Sequence, residues 1–132
     1  MTSRIFLTGH HEVSLGQRHC GYLHSGQFID RCLSAIFLQE YRPLEVIVVD
    51  NCSRDDSKRV LARYKDRIRL IENDRNAGFA AGQNQAITAS RGQWVLTLNP
   101  DVLVQPGFVA GGSSVLSSSG LTPADAGWRC PR

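Results

Sequence analysis

The chain holds 132 residues, 42% hydrophobic and 20% charged, which is one domain's worth of material with an ordinary globular balance. Its net charge of +3 is small and spread along the sequence, so it argues for a solvated surface and against a nucleic-acid partner. No apolar run approaches the roughly 18 residues of a membrane-spanning helix. The apolar stretch within residues 1–9 is too short for a signal-peptide core and lacks a small-residue cleavage site. The cytoplasm is therefore the expected compartment, with the inner face of the cell membrane as a second place of work by peripheral association. Cys20, Cys32, Cys52 and Cys130 show no C-x-x-C pairing, so free thiols in a reducing compartment are expected rather than a zinc site.

Residues 7–24 hold two His-rich stretches and no clean strand. From Ser25 the chain alternates helix and strand. Ser25-Gly26 can cap a helix whose Ile29, Leu33, Ile36 and Phe37 recur at helical spacing, ended by Arg42-Pro43. LEVIVVD, from Leu44 to Asp50, is a nearly continuous, β-branched run of the kind a strand covered on both faces shows. Ser53 can cap a helix through Tyr64, with Asp55 and Asp56 in its favourable first turn. RIRLIE (Arg67 to Glu72) predicts a weaker strand, Phe79 to Ser90 a small-residue helix, and QWVLTL (Gln93 to Leu98) another strand. Pro106 can open a further helix. GGSSVLSSSG (Gly111 to Gly120) nears low complexity and reads as flexible, and Leu121 to Arg132 has no clear pattern.

This alternation predicts an α/β fold with a doubly covered parallel sheet, in which ligands sit beyond the carboxyl ends of the strands. Asp50 and Asp101 both fall at such ends. In Asp50-Asn51-x-Ser53-x-Asp55, an Asx-type turn leading into a capped helix accounts for Asn51, Ser53 and Asp55. It accounts less well for Asp50, whose charge at the end of a buried strand needs a partner; a nucleobase imide N–H would serve. In Arg75-Asn76-x-Gly78-Phe79-Ala80-x-Gly82-x-Asn84, small residues permit either close approach of a ligand or tight helix–sheet packing. Asn99-Pro100-Asp101 is a common turn, yet a carboxylate on it suits a divalent cation that bridges two phosphates.

As a set, EVIVVDNCSRDDS, NDRNAGFAAGQNQAI and WVLTLNPDV resemble the family 2 glycosyltransferases of the GT-A fold, from Ser25 to about Ala110. The resemblance is strongest to the rhamnosyltransferase-like branch, which often carries N-P-D where other members have D-x-D. It implies a Rossmann-like parallel sheet of strand order 3-2-1-4, truncated here, with irregular ends. Residues 1–110 would form the nucleotide-sugar-binding subdomain, atypical over 1–24, and residues 111–132 a flexible or aberrant tail. Asp50 would contact the nucleotide base, with Asn51 and Ser53 shaping its pocket. Asn76, Gly78 and Asn84 would line the nucleotide-sugar site. Asp101 would coordinate Mg²⁺ or Mn²⁺, with Asn99 in the place of the first acidic residue. The implied donor is a UDP- or dTDP-sugar, the acceptor a glycan or a lipid-linked acceptor, and the reaction direct displacement with inversion.

Two departures stand out. Where the family's first strand reads like V-S-V-I-V-V-T-Y-N, this chain has GQRHCGYLH from Gly16 to His24. Shifting the reading frame forward by one nucleotide can turn Gly-Gln-Arg into Val-Ser-Val, His-Cys-Gly into Ile-Val-Val and Tyr-Leu into Thr-Tyr, so a compensated pair of frameshifts is the expected cause. After Asp101 the only carboxylate side chain is Asp125, in a Pro/Ala/Gly stretch, so no catalytic base is assigned and the acceptor-binding half is expected to be missing. The competing expectation is an inactive remnant that binds nucleotide weakly or not at all. A dinucleotide oxidoreductase or a P-loop hydrolase is excluded by the missing G-x-G-x-x-G after a first strand and G-x-x-x-x-G-K-[ST].

Overall fold

The structure, a computed structural model, describes residues 3–9, 13–14, 25–92 and 94–111. Along the described chain run β1 (Ser3–Gly9), β2 (Val13–Ser14), α1 (Ser25–Phe37), β3 (Leu44–Asp50), α2 (Ser57–Ala62), β4 (Arg69–Glu72), α3 (Phe79–Ala89) and β5 (Trp94–Leu98). The segment 16–24, to which the frameshift expectation applies, and the tail from 112 onward lie outside the described residues.

Strand β3 is the backbone of the core. Its side chains alternate between faces, and both faces are covered. Val46 and Val48 join Ile29, Leu33 and Ile36 of α1 and Leu61 of α2 in one cluster, while Ile47 and Val49 meet Ala86 of α3 in a second. A strand buried on both sides cannot alternate in polarity, which is why LEVIVVD reads as one apolar run. In α1, Ile29, Cys32, Leu33 and Ile36 are all fully buried, the i, i+3, i+4, i+7 stripe of a helix with one face on a core.

Helix α1 starts at Ser25 as expected, and a side chain from elsewhere serves its first turn. The Gly26 N–H donates to Asp56 Oδ1 at 3.1 Å, so a carboxylate thirty residues on neutralises a free amide of the first turn. A Cβ at Gly26 would lie 2.7 Å from the Asp56 carboxyl carbon, so only glycine lets the carboxylate approach this closely. Asp56 is thereby diverted from its own helix: α2 begins at Ser57, four residues later than Ser53, and its N-cap makes no side-chain bond.

The sheet departs from expectation in one strand. β3 and β4 are parallel, with Val48 opposite Leu70 and Asp50 opposite Glu72. β1 pairs antiparallel with β3, Ile5 opposite Val48 and Ser3 opposite Asp50, and antiparallel with β5, Ile5 opposite Leu98. Hence β3, β4 and β5 all point the same way, as the α/β reading requires, and β1 fills the place between β3 and β5 in the reverse direction. The short β2 pairs antiparallel with β1. The parallel first strand of the 3-2-1-4 order is thus replaced, within the described residues, by SRIFLTG, whose Ile5, Phe6 and Thr8 favour extended structure.

Beyond β5, the chain is tied back to α1 by one buried amide. Gln39 Nε2 donates to the carbonyls of Ala35 and Gln105 at 3.2 and 2.9 Å, and its Oε1 accepts the Val109 N–H at 3.2 Å. With every hydrogen-bonding group but its carbonyl's second lone pair used, the amide can be buried at 2% exposure without the cost of an orphaned polar group. A helical stretch at 108–111 follows Pro106. No helix among the described residues is long and apolar enough to cross a membrane.

Candidate functional site

The register fixes where the sequence-selected residues sit. Leu70, Val48, Ile5 and Leu98 lie on one row across the sheet. Two residues further along β3 is Asp50, and two residues beyond Leu98 is Pro100. Asp50 and the Asn99-Pro100-Asp101 turn therefore stand level on one edge of the sheet, separated by β1, at about twice the inter-strand spacing, or roughly 10 Å.

Asp50 is fully buried, and its two carboxylate oxygens accept the Ser53 N–H at 3.2 and 3.3 Å. That supplies the partner a charge at a strand end requires. The intervening Cys52 adopts φ 62°, the left-handed conformation a non-glycine residue visits at a cost of order 1 kcal/mol, and this reverses the chain tightly enough to bring Ser53 back. Asp55 Oδ1 accepts the Ser57 N–H at 3.0 Å, a local turn that prepares α2.

Asn51 is also fully buried, and its amide is spent inside the protein. Its Nδ2 donates to the Gly78 carbonyl at 3.2 Å, and its Oδ1 accepts from Asn73 Nδ2 at 2.6 Å. Asn73 in turn exchanges two bonds with Gln85, both 2.9 Å, while its backbone N–H donates to the Asp50 carbonyl at 2.8 Å. Asn73 and Gln85 are absent from the residues selected by sequence. Asn73 opens the NDRNAG loop beside the selected Asn76, and Gln85 follows the selected Asn84 on the helix. The face of α3 that turns inward decides between neighbours, and sequence spacing alone did not.

Asn76 and Asn84 are exposed. Asn76 Oδ1 accepts the Gly78 N–H at 3.0 Å, and Gly78 takes φ 85°, ψ 173° at the N-cap of α3, a region open essentially to glycine. Gly82 is buried on α3, the packing role that small residues allowed. Across the edge, Cys32 of α1 donates its S–H to the Asn99 carbonyl at 3.9 Å, which anchors the turn to the core. Burial and then the negative charge of Asp101 push the Cys32 thiol up from 9.0 to about 12. Asp101 itself is exposed.

The donor set can be tested against a divalent ion. Among the described residues no group of three or more His, Cys, Asp or Glu converges, so the chain offers a lone carboxylate, Asp101, with the Asn99 amide near it in sequence. That fits an ion such as Mg²⁺, which keeps several waters and takes one or two carboxylates plus phosphate oxygens. It does not fit an all-protein cage.

A three-layered α/β unit with polar groups gathered at the carboxyl edge of its parallel strands is a ligand-binding architecture. The comparisons define which one. A model described as Glycosyl transferase family 2 matches residues 22–111, and the chain belongs to this family. It is 40% identical over 83 residues to the succinoglycan biosynthesis protein ExoO of Rhizobium meliloti, covering 62% of this chain and 24% of that protein. It is 28% identical over 96 residues to an N-acetylglucosaminyl-diphospho-decaprenol L-rhamnosyltransferase of Mycobacterium tuberculosis, covering 64% of this chain and 31% of that one. Among solved structures, S. aureus TarS 1-349 in complex with UDP superposes with a TM-score of 0.65 at 20% identity, over 79% of this chain and 31% of that one. The fold is that of GT-A glycosyltransferases, and the chain spans about a quarter to a third of the length of these relatives.

Proposed function

We propose that this chain is the donor-binding part of a nucleotide-sugar-dependent, inverting glycosyltransferase of polysaccharide biosynthesis. The observation that carries the reading is the level placement of Asp50 and the Asn99-Pro100-Asp101 turn on one sheet edge, a span suited to a nucleotide whose base lies at one end and whose phosphates lie at the other. In this reading Asp50 meets the base, Asn51 and Ser53 shape its pocket, and Asn76, Gly78, Asn84 and Asn99 line the path of the sugar nucleotide. Asp101 holds Mg²⁺ or Mn²⁺. When bound, such an ion offsets the charge that develops on a departing diphosphate. The donor is a UDP- or dTDP-sugar and the acceptor a glycan or a lipid-linked acceptor, the latter met at the inner face of the cell membrane.

A second reading, a remnant with weak or no nucleotide binding, is favoured by β1. A reversed strand brings its amino end, at Ser3, to the edge between Asp50 and Asp101, where a parallel strand would bring its carboxyl end. Calorimetric titration with UDP and dTDP, with and without Mn²⁺, separates the two. Metal-dependent binding abolished by Asp101→Ala is the expected outcome. A folded sample that binds neither nucleotide sinks the donor reading.

A further inference from the structure

We infer that Asn73 and Gln85 are positioning residues for the nucleotide pocket, acting through Asn51 and Gly78; this rests on the donor reading above. The geometry is a closed amide relay. Asn73 Nδ2 gives one N–H to Asn51 Oδ1 at 2.6 Å and one to Gln85 Oε1 at 2.9 Å. Its Oδ1 accepts from Gln85 Nε2 at 2.9 Å. Asn51, so oriented, passes its own N–H to the Gly78 carbonyl at 3.2 Å. The relay therefore links the end of β3, the end of β4, the second turn of α3 and the loop 74–78 that joins β4 to α3.

The loop lies at the surface. Asp74, Arg75, Asn76 and Ala77 are all exposed, and Phe79 beyond the glycine is half-exposed at 54%. Gly78 must also keep φ 85° for the Asn76 turn to close upon its N–H. An exposed loop depends on its polar contacts to keep one conformation, and the Asn51 amide is a described contact from this loop to the end of the sheet. Both ends of the Asn51 amide are engaged within the protein, with Gly78 and Asn73, so it serves the pocket by fixing this wall. Its orientation is dictated from behind, because Asn73 presents a donor to Asn51 Oδ1 and leaves Asn51 only its N–H to offer Gly78.

The relay also demands amides. Asn73→Asp keeps shape and volume but sets a carboxylate against Asn51 Oδ1 and Gln85 Oε1, two acceptors that then face an acceptor. Gln85→Glu makes the same error from α3, against Asn73 Oδ1. Either change should flip Asn51 and release the loop.

The test uses the full chain, with UDP and Mn²⁺ as the probe and two readouts: calorimetric affinity, and the rate of tryptic cleavage after Arg75. Ile36→Val, on α1 across the sheet from α3, serves as a control for simple loss of stability. Expected for Asn73→Asp and Gln85→Glu are at least tenfold weaker UDP binding and at least tenfold faster cleavage after Arg75. Ile36→Val should leave both unchanged. Wild-type affinity in Asn73→Asp overturns the positioning role while leaving the donor reading intact, and so does equal weakening in Ile36→Val. A wild-type chain that binds no UDP overturns the donor reading and the positioning role together, whatever the cleavage rates.

Discussion

Cys32 and Cys52 are the two described free thiols, the first buried and the second half-buried. Cys32 is fully buried and its thiol, raised to about 12, stays protonated at any physiological pH. Only the thiolate is nucleophilic, so an alkylating reagent at pH 8, read by peptide mass mapping, should modify Cys52 well before Cys32. The same shift has a stability consequence. A thiol that ionises near 9 when unfolded and near 12 when folded binds more protons in the native state between those values, so stability is complete below pH 9 and declines from pH 9 towards 12. Denaturant titrations at pH 8 and pH 10.5 should differ in that direction, and the difference should shrink in Cys32→Ala. Gly78 poses a purely backbone question. Nothing lies within 4 Å of a Cβ placed there, so Gly78→Ala has room and fails only on its φ of 85°. The cost expected is about 1–3 kcal/mol, measured by chemical denaturation. Loss of no stability would show that the loop can be rebuilt around a different dihedral.

At the scale of elements, α1 and α2 are coupled by a borrowed cap. Asp56→Ala should remove the acceptor for the Gly26 N–H and cost about 1 kcal/mol, although the residue lies outside α1 altogether. β1 is the more consequential element. Ile5 pairs with Val48 on one side and Leu98 on the other, so Ile5→Pro strips a ladder donor from the middle of the sheet and should cost about 2 kcal/mol or more. Circular dichroism melts would check it; an unchanged melt means β1 contributes nothing to the sheet. These elements also differ in how far sequence discloses them. β3 is legible because burial on both faces forces an unbroken run of β-branched residues, and α1 because one buried face imposes the Ile29–Leu33–Ile36 spacing. Asp50 and Asp101 are legible as strand-end carboxylates. Asn73, Gln85 and the Asp56 cap are not, since each depends on which of several similar polar residues tertiary packing turns inward. β1 is obscured for another reason: seven residues of mixed character carry no direction, and parallel or antiparallel pairing is decided by partners far along the chain.

For the whole molecule, the two clusters on either face of β3 bear on how the chain fails. The larger one, joining α1, α2, Leu98, Val104 and Val109, binds the end of the described chain to its first helix. The smaller, around Ile47, Val49 and Ala86, carries α3 and the amide relay. Loop 74–78 should accordingly open before global unfolding, with native-state hydrogen exchange at Gly78 and Gly82 faster than at Val48 and Leu33.

The direction of β1 also dictates how the molecule can be handled. Because Ser3 lies opposite Asp50, anything fused ahead of it leaves the sheet over the edge proposed for the nucleotide, whereas Gly9 lies at the far end, opposite Leu44. An affinity tag or a surface anchor at the amino end would crowd the pocket it was meant to report on.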